Sequence, residues 1–186
     1  MDLMFAHGRE VFERGYAASI ARWLAIVPEQ NRLARPLAET MYGYTLAITG
    51  AAAHSEDVLR RQAARTDLDA GHLVLVHVFL AALVQFRPQL SVSLAATRTA
   101  VRMLRSNADA AIPQILGMTH SSLLWTMALG SRGRAHFLAG ELREARRWLT
   151  RTLDSPGTQY SPYRIHALGS MALLEAWSGR LDAAEA

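Results

Sequence analysis

The stretch Gly133-Arg-Ala-His-Phe-Leu-Ala-Gly140-Glu-Leu142-Arg-Glu-Ala145-Arg-Arg-Trp148-Leu149 decides the fold, because its framework returns as Ala172-Leu-Leu-Glu-Ala-Trp-Ser-Gly179-Arg-Leu181-Asp-Ala-Ala184-Glu-Ala186. The glycine, the leucine two residues on and the alanine five on all recur at an offset of 39 residues. A small residue seven positions before the turn glycine lies two helical turns back, on one face of a first helix, where it admits a neighbouring helix closely. Gly140 then ends that helix, since a residue without Cβ adopts the left-handed C-cap conformation at no steric penalty. Beyond the turn, Leu142, Ala145 and Leu149 fall at i, i+3 and i+7 and form one apolar stripe that packs back on the first helix. The phrase encodes an antiparallel helical hairpin.

Weaker copies lie upstream. Gly43 and Gly50 keep the spacing, and Leu59 follows Gly50 as Leu149 follows Gly140. Gly8 and Gly15 keep it as well, with Trp23-Leu24 standing where Trp148-Leu149 stand. A more degenerate copy has Ala81 and Pro88 in place of the glycines, with Leu90 two residues later. Successive turns are then 35, 38, 52 and 39 residues apart. Periods of this length denote helical solenoids. The expected fold is all-α, a right-handed superhelical stack of antiparallel helical hairpins (a tetratricopeptide-like α-solenoid), over a single domain spanning residues 1–186. The 52-residue step predicts one lengthened helix between Pro113 and Ala139, which Gly130 and Gly133 would bend or break.

In chain order, helices are expected over residues 3–14 and 17–27, the second closed by Pro28. Residues 31–36 form a connector, and Pro36 suits the first turn of the next helix, where its missing N–H is not needed. That helix runs to about Thr49, and its partner spans residues 55–65. Asp67 or Asp69 caps an apolar helix ending near Phe86, followed by a helix over residues 90–105 and a connector over 107–113. After a helix over 142–153 comes the turn-rich segment 154–161, with Ser161 as N-cap and Pro162 opening the next helix. Residues 180–186 begin a helix that is not completed, so the final hairpin lacks its closing element and the chain reads as a fragment of a longer protein.

Composition excludes several chemistries. The chain has 186 residues, 51% of them hydrophobic, and no cysteine, which removes disulfides, thiolate zinc sites and cysteine nucleophiles. All 20 basic residues are arginine, so a Walker A lysine, a pyridoxal Schiff base and a lysine general base are absent. Net charge is +4, with the charges dispersed; the tightest stripe, Arg98, Arg102 and Arg105, reads as a solvated outer helix face rather than a phosphate-binding one. No signal peptide opens the chain, and the longest apolar run, residues 73–84, is shorter than the ~20 residues of a membrane span. A cytoplasmic protein without membrane contact is expected.

The succession Trp23-Leu24-Ala-Ile-Val-Pro28-Glu29, Ala34-Arg35-Pro36 and Met41-Tyr42-Gly43-Tyr44-Thr-Leu-Ala-Ile-Thr-Gly50 resembles the start of the helical-repeat region of the large ATP-dependent LuxR-family transcriptional regulators of the MalT type. The Gly140 and Gly179 phrases resemble the tetratricopeptide-like repeats of the same region. In that family an ATPase module precedes the repeats and a helix-turn-helix domain follows them; neither is carried by these residues, so no ATP binding, cofactor or direct nucleic-acid contact is implied for this segment. The resemblance implies a sensor domain that receives a small-molecule inducer or a regulatory protein. The alternative is a stand-alone protein-binding adaptor of tetratricopeptide type.

No enzyme is expected. The seven histidines, His7, His54, His72, His77, His120, His136 and His166, include no i, i+4 pair, and His72 and His77 fall on different faces, so no metal site is read from them. Thr119-His120-Ser121-Ser122 near Asp109 lacks the strand-turn-helix elbow and oxyanion glycines of a hydrolase. Trp23, Trp125, Trp148 and Trp177 read as packing residues. Counting back from each turn along the first helix of every pair selects a groove with Arg9, Tyr44, Gln85, Arg134, Phe137 and His166 as its ligand- or partner-binding residues, joined by Phe12, Ala47, Ala82, Leu173 and Ala176. Arg9 and Arg134 either grip an anionic group of the ligand or pair with neighbouring glutamates. The open end around Leu168, Met171, Leu174 and Trp177 is expected to self-associate.

Overall fold

The structure, a computed structural model, describes residues 10–87, 90–116 and 119–185. The described residues form helices and connecting turns, with no strand among them. A first turn of helix covers residues 10–13. It is followed by α1 (Ala17–Ile26), α2 (Glu29–Leu33), α3 (Pro36–Ile48), α4 (Ala52–Ala63) and α5 (Ala70–Ala82), which tightens into a 3₁₀ turn (Leu83–Gln85). Then come α6 (Leu90–Ser106), α7 (Ser121–Leu138), α8 (Leu142–Leu153), a 3₁₀ turn (Pro156–Gln159), α9 (Ser161–Trp177) and α10 (Leu181–Glu185). None of these helices is long and apolar enough to cross a membrane.

The glycine phrase has the anticipated geometry. Gly15, Gly50, Gly140 and Gly179 all have positive φ, at 84°, 92°, 74° and 75°, and each ends a helix. The paired glycines lie at crossings. A Cβ on Gly43 would stand 3.0 Å from Leu59 Cγ, and one on Gly133 would stand 2.7 Å from Leu149 Cγ. In both hairpins the glycine of the first helix thus seats the leucine sixteen residues on. Ala172, at the equivalent place in the last copy, is half-buried rather than enclosed. Gly8 and Pro88 lie outside the described residues.

Each helix from α3 to α10 packs on its neighbour in sequence, while α3, α5, α7 and α9 also touch one another in succession. The core follows that second set: Met41, Leu75, Phe79, Leu124 and Ala128 are fully enclosed, as are Leu59 and Ala100 from the helices behind them. Asp69 caps α5 by accepting from the His72 backbone N–H at 2.8 Å.

Four expectations fail. The 52-residue step is not one lengthened helix: α7 is continuous through Gly130 and Gly133 but starts only at Ser121, and the described residues ahead of it, 107–116 and 119–120, form a connector. That connector packs so closely that a Cβ on Gly71 would stand 2.0 Å from the Ala111 carbonyl oxygen. The short helix α2 runs into the expected connector over residues 31–36 as far as Leu33, and α9 takes Tyr160 rather than Ser161 at its N-cap. The tryptophans divide. Trp148 is buried and Trp125 packs against the core, whereas Trp23 is 45% and Trp177 78% exposed.

Candidate ligand-binding cavity

Between α3, α7 and α9 lies a cavity of about 260 Å³. Tyr44 comes from α3, Gln85 from the turn after α5, Thr126, Met127 and Gly130 from α7, and Thr152 from α8. Tyr160, Pro162, Tyr163 and His166 complete the wall from the start of α9, with Phe12 at the N-terminal side.

Local sequence places these groups. Tyr44 is one residue past the Gly43 crossing and stacks on Phe79, with ring centroids 4.1 Å apart and planes at 15°. On the opposite side, the Pro156–Gln159 turn docks against α7 through Gly157, where a Cβ would stand 2.2 Å from Thr126 Oγ1. Thr126 and Ser155 hydroxyls meet at 2.7 Å across the same contact. This dock delivers Tyr160 and starts α9, so that Tyr163 and His166, one turn apart, share a face. Tyr160 and Tyr163 meet edge to face at 5.2 Å.

Among the described residues the wall is aromatic and carries no carboxylate or guanidinium. Burial pushes the Tyr163 hydroxyl well above the usual phenol range, and the nearby Tyr44 and Tyr160 add to the effect. Burial likewise raises Tyr44, helped by Tyr160. His166 moves the other way: burial disfavours its cation, and the Arg134 charge disfavours it further, so the imidazole stays neutral near pH 7. The threonine hydroxyls are already committed, Thr126 donating to Ser122 O at 2.9 Å and Thr152 to Trp148 O at 2.8 Å. The Tyr163 hydroxyl and His166 Nε2 are buried without a hydrogen-bond partner among the described residues. A buried polar group left unpaired costs ~1–3 kcal/mol, so both are poised to accept a partner that brings its own polar atoms.

Of the residues selected from sequence, Tyr44, Gln85 and His166 line this one cavity, with Phe12. Arg134 lies one turn beyond Gly130 and approaches Ser170 Oγ at 3.4 Å, outside the wall. Phe137 is further along α7 and packs edge-on against Trp177 at 6.4 Å. Arg9 lies outside the described residues. Tyr160, Tyr163, Thr126, Met127 and Thr152 were not selected. The i, i+3 spacing of Tyr163 and His166 was a readable signal for one of them; the others depend on how the Gly157 turn docks.

A larger hollow of about 420 Å³ lies between α4, α5 and α6. Its charged groups satisfy one another: Glu56 accepts from Arg60 Nε at 2.9 Å and from Arg87 Nη1 at 3.0 Å. Among the described residues no group of three or more His, Cys, Asp or Glu side chains is placed to hold a metal ion. Comparison with known proteins finds no matching family model, no similar curated protein and no similar solved structure.

Proposed function

We propose that this chain is a sensing module: a tetratricopeptide-like stack of helical hairpins, wound as a right-handed superhelix, that receives a small molecule in the cavity between α3, α7 and α9. The observation that carries this reading is the pair of buried groups without a partner among the described residues, the Tyr163 hydroxyl and His166 Nε2, on two residues that line one aromatic-walled cavity. Because no formal charge lines that wall among the described residues, the ligand that fits it is an uncharged, ring-containing molecule with hydroxyl or carbonyl groups for those two atoms. The likeness of residues 23–50 to the repeat region of MalT-type LuxR regulators supports a role in transcription control, with the ligand acting as inducer. The succession of contacts among α3, α5, α7 and α9 supports the solenoid arrangement.

A thermal-shift screen of uncharged ring-containing metabolites tests this, because a ligand that prefers the folded state must raise its melting temperature. For any stabilising compound, Tyr163→Phe is expected to weaken binding about tenfold, or roughly 1.4 kcal/mol. The unliganded variant should melt no lower than the parent, since the deleted hydroxyl has no partner to lose. Equal affinity in parent and Tyr163→Phe would remove the cavity as the site.

A further inference from the structure

The arginine stripe on α6 does not stand alone. Arg98 and Arg105 lie within electrostatic reach of Arg132 on α7, and so does Arg147 on α8. Arg132 holds its guanidinium carbon 3.9 Å from the centre of the Trp148 ring, and Arg151 lies 5.0 Å from the same ring. Arg105 lies 5.8 Å from the centre of Trp125. Between these helices is a hollow of about 360 Å³ lined by Arg105, Trp125, Leu129, Trp148, Arg151 and Asp154, among others. It is separate from the cavity between α3, α7 and α9, with which it shares no lining residue.

We propose that this hollow binds the phosphate groups of a small phosphorylated molecule. The positive charges there outnumber the negative. Arg105 and Arg151 line the hollow against one carboxylate, Asp154; Arg132 lies over the Trp148 ring that forms part of its wall, and Arg98 and Arg147, the latter 3.6 Å from Glu144, act on Arg132. Arg132 Nε has no hydrogen-bond partner among the described residues, and the crowding of cations, on top of burial, disfavours its charge. An anion in the hollow relieves that repulsion. A guanidinium lying over an indole leaves its N–H edges for a ligand, and that fork matches phosphate oxygens. Phosphate is favoured over a single carboxylate because one compact group presents up to two charges to guanidiniums held on two rings. A small molecule is favoured over a nucleic-acid strand because the two lining cations, Arg105 and Arg151, flank one hollow rather than a continuous track; Arg102, the remaining member of the stripe, acts on His77 instead.

Calorimetric titration of the full chain with pyrophosphate at low ionic strength tests the proposal, with orthophosphate, ribose 5-phosphate, ATP and citrate as parallel arms. Saturable binding of pyrophosphate is expected, weakened about tenfold in each of Arg105→Gln and Arg151→Gln. Both side chains are exposed, so neither change should lower the melting temperature. Tyr163→Phe should leave phosphate binding intact. Tighter binding of ATP than of pyrophosphate identifies a nucleotide as the source, and tighter binding of ribose 5-phosphate than of orthophosphate a sugar phosphate. The proposal is overturned by absence of binding in every phosphate arm, by undiminished affinity in both arginine variants, or by citrate binding more tightly than pyrophosphate. It is equally overturned if an oligothymidylate strand binds while pyrophosphate does not.

Discussion

Arg32 shows how much one side chain settles in the N-terminal half. Its Nε donates to Glu39 Oε2 at 2.9 Å, its Nη1 donates to the carbonyls of Leu24 at 3.0 Å and Val27 at 2.6 Å, and its guanidinium carbon lies 4.3 Å from the Tyr42 ring centre. One cation thereby closes the C-terminal end of α1, fixes the short helix α2 and neutralises a carboxylate that is fully enclosed on α3. Removing one member strands the other. Arg32→Met is expected to lower unfolding free energy by ~3–5 kcal/mol, because the fully buried Glu39 loses its close hydrogen-bonded cation and keeps only the longer ion pair with the half-exposed Arg61, 3.6 Å away. The double change Arg32→Met with Glu39→Met should recover much of that loss, since paired apolar replacements leave no buried charge. Urea denaturation of the three variants checks this; a double variant no more stable than Arg32→Met would show that packing, not charge, dominates. None of this was legible in the sequence, where Arg32 sits in a polar stretch read as a connector. An ion pair across seven residues has a signature only once α2 is known to turn Arg32 inward.

At the scale of elements, the seven-residue glycine spacing was readable because each glycine answers to a separate physical demand. One gives the positive φ that ends a helix, and the other removes the Cβ that would collide at a crossing. A glycine that answers to neither demand makes the opposite prediction for alanine substitution from one at a crossing. Gly133→Ala places a methyl 2.7 Å from Leu149 Cγ and 3.1 Å from the Leu149 backbone nitrogen, and should cost ~1–3 kcal/mol. Gly169 lies inside α9 with nothing within 4 Å of its would-be Cβ, so Gly169→Ala should stabilise by ~1 kcal/mol through helix propensity. Chemical denaturation of both, side by side, decides it; equal effects would mean that helix propensity rather than the crossing governs Gly133. The spacing was less informative where the repeat is irregular. A step of 52 residues records that something is longer, not which element, and the described residues ahead of α7 belong to a connector held by backbone packing against Gly71, which leaves no hydrophobic period to read.

For the whole molecule, two features link structure to behaviour in solution. The first is the outer face of α9 and α10, where Ile165, Leu168, Leu173, Trp177 and Leu181 are each about half exposed or more, while Leu174, expected on this surface, is enclosed within the chain. Sedimentation across a concentration series should show self-association that Trp177→Glu abolishes; a strict monomer at high concentration would leave this face without that role. The second is a set of three histidines on α5 and α9, His72 buried and His77 and His166 half-buried. His72, His77 and His166 all have pKa values lowered from the ordinary 6.5, in each case chiefly by burial. The unfolded chain takes up a proton at each of these sites as pH falls through about 6.5, whereas the folded chain resists it, so the unfolded state binds more protons in that window. Stability should be insensitive to these residues above pH 7 and should fall as pH drops below about 6.5, levelling only when the folded-state sites have also titrated. His166 is the informative member because its neutral form is the one available to a ligand. Replacing it with phenylalanine should flatten part of the acid-side decline in melting temperature. The same change should weaken the ligand of the α3, α7 and α9 cavity at pH 7. A pH profile that keeps its full slope in His166→Phe would assign the decline to other groups.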